Sequence, residues 1–363
     1  MRGLYIHIPF CKHICSYCDF PKRIAKNDEQ IKIYIGFLLK EIERYKEYLD
    51  RVKTIFIGGG TPNMLSDELL EELLSSVQKY VKEPLEFTIE CNPELITNNQ
   101  IELFKKYGVN RVSLGVESFI DEDLVKLNRH HTKKKAIEVI KMLKEKGITN
   151  INIDLIFAHP FDSLDKVKTN LEIFSTLDIP HLSYYSMILE DKTVFKYLYD
   201  NNKLELVAED DAAIMYEYII NYLKKNGYHH YETSNFAKNG FESRHNLLYW
   251  QEEEYVGVGA GAAGFLNNIR YTNSYHLDKY YEGCKEEEVL SNEDIKKEYM
   301  MLGFRKIDGI SISDYLKRFN TNIFDDFKFD KLMKEELIEI KDDFITLTQK
   351  GIMLANEVFM EFI

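Results

Sequence analysis

Three cysteines stand close together early in the 363-residue chain, in Cys11-Lys12-His13-Ile14-Cys15-Ser16-Tyr17-Cys18. Thiolates ligate zinc and iron, and their spacing limits which. A structural zinc ion takes four closed ligands, commonly from paired Cys-x2-Cys units. This run is Cys-x3-Cys-x2-Cys. A tight loop of that spacing can wrap three thiolates around three irons of a cubane cluster, with the fourth iron open to an amino and a carboxylate group of a bound molecule. Zinc stays the alternative.

Other residues with chemistry follow at regular intervals. Gly58-Gly59-Gly60-Thr61-Pro62 is either a plain turn or a place where a ligand approaches the backbone and its amides. Glu90 can bond hydroxyls or cap the loop after it. Glu117 closes Ser113-Leu114-Gly115-Val116-Glu117, and Arg129 follows in Leu127-Asn128-Arg129-His130-His131. Asp154 lies inside the apolar run Ile151-Asn152-Ile153-Asp154-Leu155-Ile156. A buried acid is costly unless paired, so Asp154 belongs to a site or to a structural ion pair.

These residues need elements to hold them. Strand-like runs are Leu4–Ile8, Thr54–Ile57, Glu86–Glu90, Arg111–Gly115, Ile151–Ile156 and His181–Met187. Between them, helical spacing covers Gln30–Leu49, Asp67–Val81, Asn98–Tyr107, Lys134–Lys146 and Asp165–Leu177. Ser66, Thr97 and Thr132 read as caps, and Gly108 and Gly147 as stops. Alternating strands and helices predict an α/β fold with parallel strands. Candidate site residues fall at the C-terminal ends of nearly every strand, which favours a partial TIM-type (β/α)6 barrel over a doubly wound sheet. We expect this core to span residues 1–228. Residues 229–363 hold an aromatic, glycine-bearing stretch and then a smaller α+β, winged-helix-like unit: helices Glu293–Phe304, Ile312–Phe319 and Phe329–Glu336, strands Leu337–Ile340 and Phe344–Leu347, and helix Gln349–Phe362.

A net charge of −13 argues against nucleic acid as a main partner. No secretory signal and no apolar run near the ~20 residues of a membrane span are visible. Free thiolates for iron fit a reducing cytoplasm. Cys91 reads as a small residue of the core or near the site, and Cys284 as incidental.

The cysteine loop resembles the signature of the radical S-adenosylmethionine (SAM) superfamily. Together with the glycine run, Glu90, Arg129 and Asp154, it resembles the oxygen-independent coproporphyrinogen III dehydrogenases, and more closely their relatives, the heme chaperones of the HemW type. That likeness implies a [4Fe–4S] cluster on Cys11, Cys15 and Cys18. It implies SAM between Tyr5 and Tyr17, its methionyl part on Gly58, Gly59, Gly60 and Thr61, and ribose or carboxylate contacts from Glu90, Arg129 and Asp154. The dehydrogenases carry a further cysteine where this chain has Phe20, and they have an N-terminal extension, whereas only ten residues precede Cys11 here. Tyr231-Glu232-Thr233-Ser234-Asn235-Phe236 and His245-Asn246-Leu247-Leu248-Tyr249-Trp250 resemble the chaperone pattern YExSNFA…HNxxYW, whose second half is associated with heme. On the residues alone, His245 and Trp250 read as core or barrel-closing residues. The resemblance makes His245 an axial ligand, with Asn246, Tyr249 and Trp250 beside the macrocycle. It implies heme as cargo and a heme-acceptor protein as partner, a respiratory, membrane-bound one among the candidates. The opposing reading is a radical SAM oxidoreductase that cleaves SAM to a 5′-deoxyadenosyl radical.

Three departures stand out. Glu117 occupies a position where the family usually has glutamine. Phe157-Ala158-His159-Pro160 replaces aromatic-Gly-Leu-Pro. Ala263 stands in the serine place of a GxGxGAxS-like run beginning at Gly257.

Overall fold

The computed structural model describes residues 2–363. Its centre is a sheet whose first six strands are β1 (Arg2–Ile8), β2 (Val52–Gly59), β3 (Glu86–Cys91), β4 (Arg111–Glu117), β5 (Ile151–Phe157) and β6 (His181–Ser186). They pair in sequence order, all parallel. Helices lie between them, among them Asp28–Arg44, Asp67–Tyr80, Asn98–Lys106, Lys133–Glu145 and Leu164–Thr176. Ser66, Thr97 and Thr132 accept hydrogen bonds from Leu69, Gln100 and Lys135 amides, as caps do. The expected helix Gln30–Leu49 is broken at Tyr45 into Asp28–Arg44 and Lys46–Leu49.

The two faces of these strands differ. Leu4, Ile6, Ile55, Ile57, Phe87, Ile89, Val112, Leu114, Ile151 and Ile153 point outward and are buried under the helices. The alternate positions point inward and are mostly polar or small. Parallel register sets Tyr5 beside Phe56, His7 beside Gly58, Glu90 beside Ser113, and Asp154 beside Gly115 and Ser183. The period-2 pattern therefore separates an aliphatic shell from a chemically active interior.

The sheet continues past these six strands on both sides. β7 (His229–Glu232) and β8 (Asn235–Ala237) form an antiparallel pair joined to β6 through β8. β9 (Tyr255–Val258) pairs parallel with β1, and β10 (Ala263–Leu266), β11 (Ile269–Asn273) and β12 (Lys285–Val289) follow antiparallel. The order is β12-β11-β10-β9-β1-β2-β3-β4-β5-β6-β8-β7, an unclosed barrel wall of twelve strands. Residues 229–289, read from sequence as belonging with the C-terminal region, thus hydrogen-bond into the same sheet. β12 is exposed along its whole length.

A second hydrophobic core begins at Met300 and includes Phe304, Tyr315, Phe329, Ile345 and Val358. It holds a three-stranded sheet of Ile310–Ser311, Phe344–Leu347 and Ile338–Lys341 with short helices around it. The expected helix Gln349–Phe362 is interrupted at Leu354, giving Gln349–Met353 and Ala355–Met360. Among the described residues, no helix is long and apolar enough to cross a membrane.

Candidate cofactor site at the C-terminal ends of the strands

The loop after β1 carries all three clustered cysteines to one mouth of the barrel. Phe10–Cys11 pairs with Arg23–Ile24, and this short ladder pins both ends of the loop. The Cys18 amide bonds back to the Cys15 carbonyl (3.4 Å), and Lys22 donates to the Cys18 carbonyl. The three cysteines line a cavity of about 300 Å³ with Tyr17, Gly59, Gly60, Thr61, Glu90, Glu117, Arg129 and Asp154. Among the described residues no three His, Cys, Asp or Glu side chains gather closely enough for a single ion. Burial pushes the Cys11 thiol up and the Cys18 thiol to about 11, so metal binding must displace protons from them.

The glycine run makes this space possible. Gly59 has φ +108°, and a β-carbon there would stand 2.5 Å from the His7 ring. A β-carbon on Gly60 would lie 2.6 Å from the Phe10 carbonyl and 2.9 Å from Cys11 Sγ. Gly58 is packed beneath the Glu90 carboxylate and does not line the cavity.

Three acids converge on the cavity against one guanidinium. The Gly59 amide donates to Glu90 Oε2 (3.1 Å), and burial with the nearby Asp154 charge raises Glu90 to about 8. Asp154 accepts from Ser113 Oγ (2.9 Å) and Asn152 Nδ2 (2.8 Å), and burial raises its pKa as well. Among the described residues no ion pair reaches it, and the Arg111 charge opposes the rise from further off. Glu117 has φ +65° and accepts from Tyr185 Oη (3.0 Å). Its raised pKa comes from burial, opposed by Arg129 at 3.8 Å. Arg129 donates to Asn92 Oδ1 (2.9 Å), to the Gly115 carbonyl and to Cys15 Sγ (3.5 Å). One side chain thereby links the cysteine loop to the ends of two strands. A bound molecule carrying positive charge and hydroxyl groups would relieve these crowded carboxylates.

Several contributors escape sequence reasoning. His7 joins Tyr5 Oη (2.9 Å) to the Pro21 carbonyl (2.7 Å), and burial lowers its pKa to about 4. Tyr5 itself does not line the cavity; it sits two residues earlier on the same strand face and supports His7. Asn92, two residues past Glu90, holds Arg129 and donates to Thr61 Oγ1 (3.3 Å). Its place at a strand end was the available signal. Tyr185 had none beyond its strand. Beside the loop, His13 stacks on His130 with ring centroids 3.6 Å apart. Cys91 is buried and lines the cavity; Cys284 is exposed. His159 is fully buried with Nε2 3.8 Å from Asp123, outside the cavity, and burial lowers its pKa to about 3. Ala158 before it has φ +56°, a conformation that suits glycine.

The remaining motif lies at the other mouth. Helix Arg244–Trp250 closes the N-terminal ends of the strands. Glu86 at the start of β3 accepts from the Arg244 amide (2.8 Å), the His245 amide (3.1 Å) and Ser243 Oγ (3.4 Å). The carboxylate thus sits at the positive end of the helix. His245 is fully buried, with Nδ1 2.9 Å from Thr54 Oγ1 and Nε2 2.8 Å from Tyr249 Oη. Burial lowers its pKa to about 3. The Asn246 amide bonds to Ser243 Oγ (3.4 Å), Tyr249 packs edge-on to Tyr255, and Arg305 lies 4.5 Å over the Trp250 ring. These four residues are close to one another and remote from the cysteines.

An unclosed parallel barrel with three loop thiols after its first strand, and glycines and acids at the same mouth, defines a radical SAM protein. The Radical SAM superfamily matches residues 5–173, and the HemN C-terminal domain matches residues 290–354. The chain belongs to the HemW heme-chaperone family within that superfamily. It is 40% identical over 377 residues to the heme chaperone HemW of Lactococcus lactis, covering 100% of this chain and 97% of the relative. To the heme chaperone HemW of Bacillus subtilis it is 37% identical, covering 100% and 99%. The corresponding Escherichia coli protein is 31% identical, with 99% and 98% covered. The solved structure of E. coli coproporphyrinogen III oxidase (HemN) superposes with a TM-score of 0.85 over 99% of this chain and 89% of that one, at 21% identity, which establishes a common fold.

Proposed function

We propose that this chain is a cytoplasmic heme chaperone that binds heme and delivers it to an acceptor protein. The observation that carries the reading is end-to-end similarity to proteins named heme chaperones, at 40% identity for the L. lactis protein. The cavity supports the accompanying cofactors. Cys11, Cys15 and Cys18 would hold a [4Fe–4S] cluster, which would supply an electron and a site for SAM. Gly59, Gly60 and Thr61 offer backbone close approach to the methionyl part. Tyr17, Glu90, Glu117, Arg129 and Asp154 line the rest of the cavity, where the three acids would offer acceptors to a sulfonium charge and ribose hydroxyls. Gly58 and Tyr5 support this set from below. A respiratory, membrane-bound protein is one candidate recipient.

The oxidoreductase reading is favoured by the retained acids and guanidinium at the cavity. Phe20, 63% exposed at its rim, stands where coproporphyrinogen dehydrogenases carry a cysteine, which argues against that particular reaction. The test is heme titration of the anaerobically reconstituted protein, followed by absorbance, beside an assay of SAM cleavage under reducing conditions. Saturable binding near one heme per chain without sustained SAM turnover supports the chaperone. Turnover without heme retention moves the assignment to a radical SAM enzyme.

A further inference from the structure

The short ladder of Phe10–Cys11 with Arg23–Ile24 pins the ends of the cysteine loop, but Cys15 and Cys18 lie between those ends. The segment Leu127–His131 meets the middle of the loop almost residue by residue. The Ser16 amide donates to the Leu127 carbonyl (3.2 Å). Asn128 Nδ2 donates to the Ile14 carbonyl (2.7 Å). Arg129 reaches Cys15 Sγ, and the His130 ring stacks on His13. Glu94 completes the set, with its carboxylate 3.5 Å from His131 Nδ1 and 3.8 Å from His13 Nε2. We propose that Leu127–His131 is a template that holds His13–Ser16 in the cluster-binding form before iron arrives, with Asn128 and Glu94 as its positioning residues. The inference rests on the cluster assigned to Cys11, Cys15 and Cys18.

The template is itself fixed from behind. Asn128 has φ +60°, a conformation that asparagine tolerates better than most side chains. His131 Nε2 donates to the Val116 carbonyl (3.1 Å) in β4, which leaves the other ring nitrogen facing Glu94. Glu94 follows Pro93 in the turn after β3. Burial favours its neutral acid, but His131 and Arg129 outweigh burial and hold its pKa at about 2. The bridge between the two histidines therefore carries a charge. Asn128, Glu94 and His131 do not line the cofactor cavity, so their contacts serve the loop and not a bound molecule. Fixing a loop costs backbone entropy for each residue ordered. A loop already ordered by folding leaves less of that cost for the binding step, which is what three thiols awaiting one cluster require.

The experiment follows amide hydrogen exchange across the loop and alkylation of Cys15 by iodoacetamide in the full iron-free chain, then the rate at which the reconstituted cluster is lost to a chelator. Asn128→Asp keeps the side-chain shape and puts an acceptor where the donor to Ile14 stood. Glu94→Gln removes the charge, and Glu94→Asp keeps it. Asn128→Asp and Glu94→Gln are each expected to speed loop exchange, Cys15 alkylation and cluster loss about fivefold or more, the scale of one lost hydrogen bond. Exchange in the barrel strands should stay at the wild-type rate, and Glu94→Asp should recover part of the loss. Wild-type rates in both Asn128→Asp and Glu94→Gln would overturn the template and leave the cluster assignment standing. Faster exchange spread equally over the strands would overturn it too, because the two residues would then be general supports of the fold. Failure of the wild type to take up a cluster would remove both.

Discussion

At the N-terminal mouth of the barrel, Glu86 holds the first turn of the Arg244–Trp250 helix, and His245 spends both nitrogens on Thr54 and Tyr249. At the C-terminal mouth, Glu90, Glu117 and Asp154 line one cavity with the three thiols, and Glu117 has the Arg129 guanidinium 3.8 Å away. Both mouths use inward-facing positions of the same strands. Where a histidine has a partner on each ring nitrogen the barrel is floored; where three buried carboxylates crowd one cavity a bound molecule gains from them. Perturbed ionisation marks both mouths, so it does not by itself distinguish function from closure.

The largest effect that would sharpen this contrast is loss of the cluster. Cys15→Ala is expected to abolish iron–sulfur absorbance and iron content on reconstitution while leaving thermal unfolding of the iron-free protein cooperative. Cys15 sits on a loop outside both hydrophobic cores. Collapse of folding in that variant would show that the loop supports the barrel. Next, His245→Ala should destabilise the protein by about 2–4 kcal/mol in urea unfolding, because it opens a cavity and strands two buried hydroxyls. A loss below ~1 kcal/mol would mean that the floor is loosely closed.

At the open mouth, the opposite sign is expected. The folded chain keeps the Glu90 proton up to about pH 8, while the unfolded chain releases it near 4.5. The stability linked to that proton is complete below the lower value and lost as pH rises toward the upper one. Glu90→Gln should therefore stabilise the cofactor-free protein by about 1–3 kcal/mol at pH 8, with the gain fading toward pH 5, while weakening SAM binding. Equal stability of the two proteins at pH 8 would contradict a strained carboxylate. The smallest effect belongs to Ala158→Gly, expected to add about 0.5–1 kcal/mol by relieving a positive φ.

Much of this architecture is local information and can be read directly. Runs such as Glu86-Phe87-Thr88-Ile89-Glu90 alternate inside and outside positions, and Ser66, Thr97 and Thr132 announce their helices within three residues. What stays hidden is non-local. Tyr255–Val258 pairs with a strand some 250 residues earlier, which no window of sequence reveals. The orientation of His245 depends on Thr54 across the barrel, and a seven-residue helix does not announce which of its faces is buried. Asn92 and Tyr185 enter the site only because neighbouring strands place them beside Arg129 and Glu117.

A wall that does not close leaves a last strand with unpaired backbone groups, and β12 is that strand. Its residues Glu286, Glu287 and Glu288 are consecutive, so negative charge projects from both of its faces, all of it exposed. Lys285 on the same strand pairs with Glu287 at 2.7 Å, and a second molecule offering the same edge would still bring a net negative run against its like. Such a run of like charge keeps an open edge from templating another strand. The ribbon can thus end in water without a thirteenth strand to finish it.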